Sequence, residues 1–330
     1  MKKIFALLLS AALLVTLLAA CGGGNTTDTD TDTQETAADA STTQVEEQEP
    51  DTGDASKDDP LNQDEIGEKE LLVVSFGTSY NDSRRETIGA IEKAMQTAVP
   101  DYSVRRAFTS QIIIDHVKDR DGVTIDNVEQ ALERAVDNGV KTLVVQPTHL
   151  MNGLEYKELT DELAKYSDSF EKIAIGDPLL TSDADFEAVM TAITDATKDA
   201  ADGKTAICFM GHGTTADSNS VYSKMQTLLT DKGFNDYYVG TVEATPSLDD
   251  VLAAVQKGSY EKVILRPLMI VAGDHANNDM AGDEDDSWKS TFEKAGYTVD
   301  CQVEGLGQLE AIQQLFVEHA KAAVASAEAE

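Results

Sequence analysis

The stretch Lys204-Thr205-Ala206-Ile207-Cys208-Phe209-Met210-Gly211-His212-Gly213-Thr214-Thr215 is an apolar run that rises to a histidine held between two glycines. A run of this kind reads as a strand covered on both faces, the form it takes in a parallel sheet flanked by helices. Gly211 and Gly213 remove the Cβ atoms that would keep a flat ligand away from the strand tip. Tyr238 to Val242 leads to Glu243 in the same way, and Val263 to Asp274 leads to His275. Two imidazoles and a carboxylate at three strand ends form a candidate site for a divalent first-row ion. Such a set leaves positions open for water or substrate. The separations, about thirty residues each, match one βαβ step rather than a short metal-binding signature.

The pattern occurs twice. Leu71 to Phe76 is a second apolar strand, and Phe76-Gly77-Thr78-Ser79 aligns with His212-Gly213-Thr214-Thr215. Asp101-Tyr102-Ser103-Val104 aligns with Asp236-Tyr237-Tyr238-Val239, which sets Phe108 opposite Glu243. Val145-Gln146-Pro147 aligns with Leu265-Arg266-Pro267, and Glu155 and His275 each lie eight residues past that proline. Between the strands, Ile88, Ile91, Ala94, Met95 and Ala98 recur at helical spacing, and further helices are expected over 109–119, 127–137 and 183–196. Alternating strands and helices predict an α/β chain of two similar lobes, each a parallel sheet flanked by helices, with a cleft at the strand ends between them. One lobe supplies ligands. The other supplies apolar walls and one carboxylate, Glu155.

The termini of the 330-residue chain read differently. Residues 1–20 pair Lys2-Lys3 with an apolar run and read as a lipoprotein signal peptide. Leu18-Ala19-Ala20-Cys21 resembles a lipobox, making Cys21 the expected lipidation site and the protein an extracytoplasmic, membrane-anchored lipoprotein. From Cys21 to Glu68 the composition is acidic and poor in large apolar residues, which predicts a disordered tether. The lobes are then expected over 69–200 and 201–330. A net charge of −34 argues against nucleic acid or anionic lipid headgroups as partners, leaving the lipid anchor as the membrane contact. Cys208 and Cys301 read as buried strand residues rather than a redox pair, and no CxxC occurs. No GxGxxG, Walker-type loop or GxSxG elbow occurs either. His319 reads as a packed or surface residue, His149 as a cleft residue at a strand end, and the acidic run at Asp279 to Asp286 as a solvated loop or helix cap.

Longer strings carry a resemblance. VVSFGTS (Val73 to Ser79), RAFTSQIII (Arg106 to Ile114), HLMNGLEY (His149 to Tyr156), FMGHG (Phe209 to Gly213), VEATP (Val242 to Pro246) and PLMIVAGDHANNDMAGDEDDSW (Pro267 to Trp288) are similar to the anaerobic, class II cobalt chelatases of cobalamin synthesis. The similarity spans about Glu70 to Leu315. It implies two flavodoxin-like lobes and insertion of Co²⁺ into sirohydrochlorin, a tetrapyrrole. It further implies that His212 is metal ligand and proton acceptor, that Glu243 and His275 are metal ligands, and that Glu155 is a carboxylate of the cleft.

Metallation displaces two pyrrole protons, so a base is needed beside the ion. His212 and Glu155 are the catalytic candidates. Gly211 and Gly213 are expected to admit the macrocycle, with Phe76, Phe108, His149, Met151 and Leu154 walling its ring. No permanently bound cofactor is expected; the metal is substrate, cobalt first, nickel or iron as alternatives. Cations to offset the tetrapyrrole's carboxylates are sought among Arg84, Arg85, Arg105, Arg106 and Arg266. The second reading is an exported carrier that captures a metal ion or metallotetrapyrrole and passes it to a transporter. A homo-oligomer is left open.

Overall fold

A computed structural model describes residues 51–329. Strands β1 (Lys69–Ser75), β2 (Ser103–Phe108), β3 (Thr142–Pro147) and β4 (Lys172–Ile175) form a parallel sheet in the order β2-β1-β3-β4. Strands β5 (Thr205–Gly211), β6 (Tyr237–Thr241), β7 (Lys262–Pro267) and β8 (Thr298–Cys301) form a second in the order β6-β5-β7-β8. This is the doubled flavodoxin-like arrangement expected, and in each sheet the order reverses beside the central strand, where such sheets bind ligands.

Helices α1 (Asn81–Glu86) and α2 (Ile88–Ala98) follow β1, α3 (Gln111–Asp121) and α4 (Val128–Asp137) follow β2, and α5 (Leu154–Ala164) follows β3. Helix α6 (Asp183–Thr197) connects the sheets; α7 (Ser220–Asp231), α8 (Leu248–Val255) and α9 (Trp288–Lys294) belong to the second lobe, and α10 (Glu310–Ala329) ends the chain. Local chemistry sets these boundaries. Asn127, Ser182 and Ser247 each form a reciprocal capping box with the residue three positions on, satisfying backbone N–H groups at the starts of α4, α6 and α8. Ile88, Ile91 and Met95 of α2 are fully buried, as their spacing predicts.

Strand residues alternate between two cores. Leu72 and Val74 enter an outer core with α4, whereas Leu71 and Val73 enter a central core that continues into Ile207 and Phe209 of the second sheet. The lobes therefore share one apolar interior. Two helices also cross between them. Helix α6, although it follows β4, packs beside α7, and its Thr197 Oγ1 lies 2.9 Å from the Tyr237 hydroxyl of β6. Helix α10, although it follows β8, packs on β3, β4 and α2 of the first sheet. A boundary at 200/201 separates the sheets but not the helices. His319 of α10 is packed, 3.1 Å from both the Asp177 carbonyl and the Asp185 carboxylate.

The acidic segment does not run free as far as Glu68. From residue 51 it lies against the first lobe, with Leu61 buried and Ile66 packed on the outer core. Buried ion pairs add to these apolar contacts, and composition does not foresee them. Asp58 accepts from Arg84 Nε at 2.6 Å and from Arg106 at 2.7 and 3.0 Å. The expected signal peptide, the expected lipidation site Cys21 and the expected tether up to residue 50 lie outside the described residues. Among the described residues no helix is long and apolar enough to cross a membrane. Cys208 and Cys301 are free, with β7 between their strands.

Candidate metal centre and cleft

Strand pairing brings the three ligand candidates together. β5 ends at Gly211 with His212 next, β6 pairs beside it through Gly211 and Thr241, and the Glu243 backbone N–H donates to the His212 carbonyl at 2.9 Å. β7 flanks β5 on the other side and leads to His275. One donor atom from each of His212, Glu243 and His275 lies within 4.8 Å of the others. His212 Nε2 is 3.9 Å from Glu243 Oε1, and the two imidazoles meet edge to face at 4.6 Å. Ligand atoms bound at about 2.1 Å stand about 3.5 Å apart, so closure on an ion needs a movement of roughly 1 Å.

Both rings are held by their other nitrogen. His212 Nδ1 lies 2.8 Å from the Gly213 carbonyl, and His275 Nδ1 lies 2.8 Å from Asp279 Oδ2. Each partner is an acceptor, so the proton sits on Nδ1 and the Nε2 lone pair is free for a metal. Asp279 lies in a single π-helical turn, Ala276–Met280, directly after His275. Sequence reading assigned Asp279 only to an acidic loop; its spacing of four from His275 was the signal available. Asp283 and Asp285 pair with Lys289 and Lys294, and Ser287 caps α9, as expected of a solvated loop and cap.

The triad opens on a cleft of about 530 Å³ between the lobes, within the range of small-molecule sites. Phe76, His149, Met151, Leu154 and Glu155 line it from the first lobe, and Gly213, Thr214 and Tyr222 from the second. Phe76 is 47% exposed, an aromatic face offered to a ligand. His149 is buried, both its ring nitrogens lack hydrogen-bond partners, and burial depresses its pKa to about 4, so the ring is neutral. Its Nε2 stands 3.6 Å from Glu155 Oε2. Burial raises the Glu155 pKa, and His212 partly opposes this. A carboxyl so placed takes up a proton more readily than a solvated one.

Two expected wall residues are elsewhere. Phe108 is fully buried among Ile88, Ile114, Val117 and Ile125, beneath Gly77. Pairing explains the difference: Ser75 opposes Phe108 in the first sheet, whereas its equivalent Gly211 opposes Thr241 in the second. The structural counterpart of Phe108 is therefore Thr241, and that of Glu243 is Ser110, two residues from the sequence alignment. Gly211 also stands away from the cleft lining; a Cβ there would come within 2.1 Å of the Tyr222 ring, so its small size serves packing. Gly213 does line the cleft, with φ +90° and a Cβ path closed by Ala244.

No Lys or Arg lines the cleft among the described residues. Arg84, Arg105 and Arg106 are buried in ion pairs with Asp58, Glu70, Glu92 and Asp126. Arg85 pairs on the surface with Asp82 and Glu86, and the buried Arg266 pairs with Glu304. The lining instead offers the hydroxyls of Thr78, Ser79, Thr148, Thr214, Thr215 and Ser218. The Ser218 Oγ is buried without a partner.

Similarity to known proteins accords with this arrangement. The solved structure of SirB from Bacillus subtilis with Fe³⁺ superposes with a TM-score of 0.57 at 14% identity, covering 80% of this chain and 98% of that one, a likeness of fold. A family model described as cobalt chelatase (CbiK) matches residues 69–325. The sirohydrochlorin cobaltochelatase of Salmonella typhimurium is 38% identical over 251 residues, 76% of this chain and 94% of that one. The sirohydrochlorin cobaltochelatase CbiKC of Nitratidesulfovibrio vulgaris is 30% identical over 260 residues, 78% of this chain and 91% of that one. The chain belongs to the CbiK cobalt chelatase family.

Proposed function

We propose that this protein inserts Co²⁺ into sirohydrochlorin, holding the ion on His212, Glu243 and His275 while the macrocycle lies in the cleft against Phe76, Met151 and Leu154. The observation that carries this reading is the convergence of three donor atoms within 4.8 Å at the wall of an apolar cleft. Metallation exchanges two N–H bonds for metal–nitrogen bonds and releases two protons. His212 accepts one once the ion has left its Nε2, and Glu155, facing it across the cleft, accepts the other. Gly213 gives the ring room at the strand tip, and neutral His149 meets its edge. Relatives that are themselves cobaltochelatases, aligned over 94% and 91% of their own length, favour this enzyme over an exported carrier. Lipidation at Cys21 after removal of residues 1–20 would place the reaction outside the cytoplasm, on a membrane anchor.

The test uses a chain beginning at Pro50, the start of the compact unit. It is mixed anaerobically with Co²⁺ and sirohydrochlorin, and metallation is followed by absorbance. Many turnovers, abolished in His212→Ala, support the enzyme. A single stoichiometric binding event with no acceleration would instead indicate a carrier. Repeating the assay with Ni²⁺ and Fe²⁺ ranks the metals.

A further inference from the structure

The family match begins at residue 69, yet the eighteen residues ahead of it, 51–68, are built into the first lobe. This strap runs along β2, the edge strand. The Leu61 carbonyl accepts from the Arg106 N–H at 3.1 Å, Gln63 Nε2 donates to the Val104 carbonyl at 3.2 Å, and Ser103 Oγ to the Ile66 carbonyl at 2.6 Å. Covering an edge is a sufficient structural reason for such a segment. Three further contacts go beyond it, because all reach α1, the short helix that leaves the cleft. The Asp82 N–H donates to the Thr52 carbonyl at 2.9 Å, Asn81 Nδ2 to the Gly53 carbonyl at 3.1 Å, and Arg84 Nε to Asp58 at 2.6 Å.

The charges at this junction balance only with the strap in place. Within the family-matched region, the Arg84 and Arg106 guanidiniums and the Glu92 carboxylate are all buried. Glu92 bonds Arg106 twice, at 2.6 and 2.8 Å, and the strap's Asp58, 4% exposed, neutralises the remaining positive charge. A buried cation without a counter-charge is costly, so Arg84 depends on Asp58 to stay where it is. Arg84 in turn reaches the cleft: its Nη1 donates to the Thr78 carbonyl at 3.1 Å, and its Nη2 to Asn81 Oδ1 at 2.6 Å. Gly77, Thr78 and Ser79 line the cleft from the first lobe. Helix α1 also touches the second lobe, since the Ala272 N–H donates to Ser83 Oγ at 3.0 Å.

We propose that residues 51–68 are a positioning strap for the macrocycle wall, with Asp58 acting through Arg84 to hold the Gly77–Ser79 loop at the spacing from the second lobe that the ring requires. Asp58 touches neither metal nor ring; it is a positioning residue, and the inference rests on the function proposed above. The consequence is selective. His212, Glu243 and His275 all lie in the second lobe and are held by bonds of their own, so the strap governs the macrocycle and not the ion.

The experiment compares the anchored full chain with Asp58→Ala, Asp58→Asn, Arg84→Lys and the Asp58→Ala/Arg84→Lys double variant. Each is read by KM for sirohydrochlorin, kcat, Co²⁺ dissociation constant without tetrapyrrole, and amide exchange at Gly77 to Tyr80. Asp58→Ala is expected to raise KM about tenfold and to speed amide exchange in the loop, with kcat within about threefold and the Co²⁺ constant within about twofold. Arg84→Lys keeps the charge but cannot span Asp58 and Thr78 together, so it reproduces the effect, and the double variant is no worse than the stronger single. An unchanged KM with unchanged loop exchange in folded variants overturns the proposal. So does a Co²⁺ affinity that falls in step with KM, or failure of both Asp58 variants to fold, either of which makes the strap a general support. Absence of metallation in the wild type would instead count against the chelatase reading, and loop exchange would still report on the strap.

Discussion

His275 shows how little of a metal ligand's chemistry is carried by the ligand alone. Its Nε2 is available because Asp279 occupies Nδ1. Removing such a partner typically weakens metal affinity 10- to 100-fold. Asp279→Ala is therefore expected to raise the Co²⁺ dissociation constant by about that factor in calorimetry, with Asp279→Asn losing less because its amide oxygen still accepts. A wild-type isotherm from Asp279→Ala would remove Asp279 from the site. His149 makes a different demand. Its folded pKa of about 4 lies below the ordinary value of 6.5, so between those values the unfolded chain binds the extra proton. This contribution to stability is present above about pH 6.5 and is lost as pH falls towards 4, at up to about 1.4 kcal/mol per pH unit. Denaturant titrations across that window should show a shallower pH slope for His149→Phe than for wild type; parallel curves would mean His149 does not titrate as its burial requires.

At the scale of elements, strand type was legible because a strand buried on both faces is continuously apolar: Val263 to Leu265 and Leu71 to Val74 could be little else. Pairing register was not legible. The repeat alignment matched Phe108 with Glu243 by local likeness, while hydrogen bonding to the central strand matched Phe108 with Thr241. A shift of two keeps every side chain on its own face, so the apolar pattern cannot detect it. Nor could it foresee where α10 docks, because the amphipathic face of a helix states only that a partner exists. Phe316 of α10 is fully buried in the core shared by both lobes. Phe316→Ala should cost about 3–5 kcal/mol, and because that core is continuous, calorimetry should show one transition shifted downwards as a unit. Separate melting of the two lobes would contradict a shared interior.

The whole molecule presents an electrostatic problem that its parts do not. It carries a net charge of −34, and its cleft is lined by carboxylates, hydroxyls, imidazoles and apolar side chains without a lysine or arginine among the described residues. Such a field draws in a divalent cation and repels a polycarboxylate. Raising ionic strength from about 10 to about 150 mM should therefore raise kcat/KM for sirohydrochlorin several-fold and slow Co²⁺ association, since screening weakens both effects. An opposite salt response for the macrocycle would require a cationic patch beyond the cleft lining.

By itself the sequence determined the α/β class, the doubling of the lobe, and the meeting of His212, Glu243 and His275, because strand periodicity and strand-end position are properties of contiguous residues. Glu155, Phe76, Met151 and Gly213 were placed at the cleft by the same reasoning. Only the tertiary structure decided that Phe108 and Gly211 stand behind the site, that α6 and α10 cross between the lobes, that Arg84, Arg105 and Arg106 are paired with buried carboxylates, and that the acidic segment becomes a strap at Asp58. Each of these depends on a contact between residues far apart in the chain, where no local pattern states which surface will meet which.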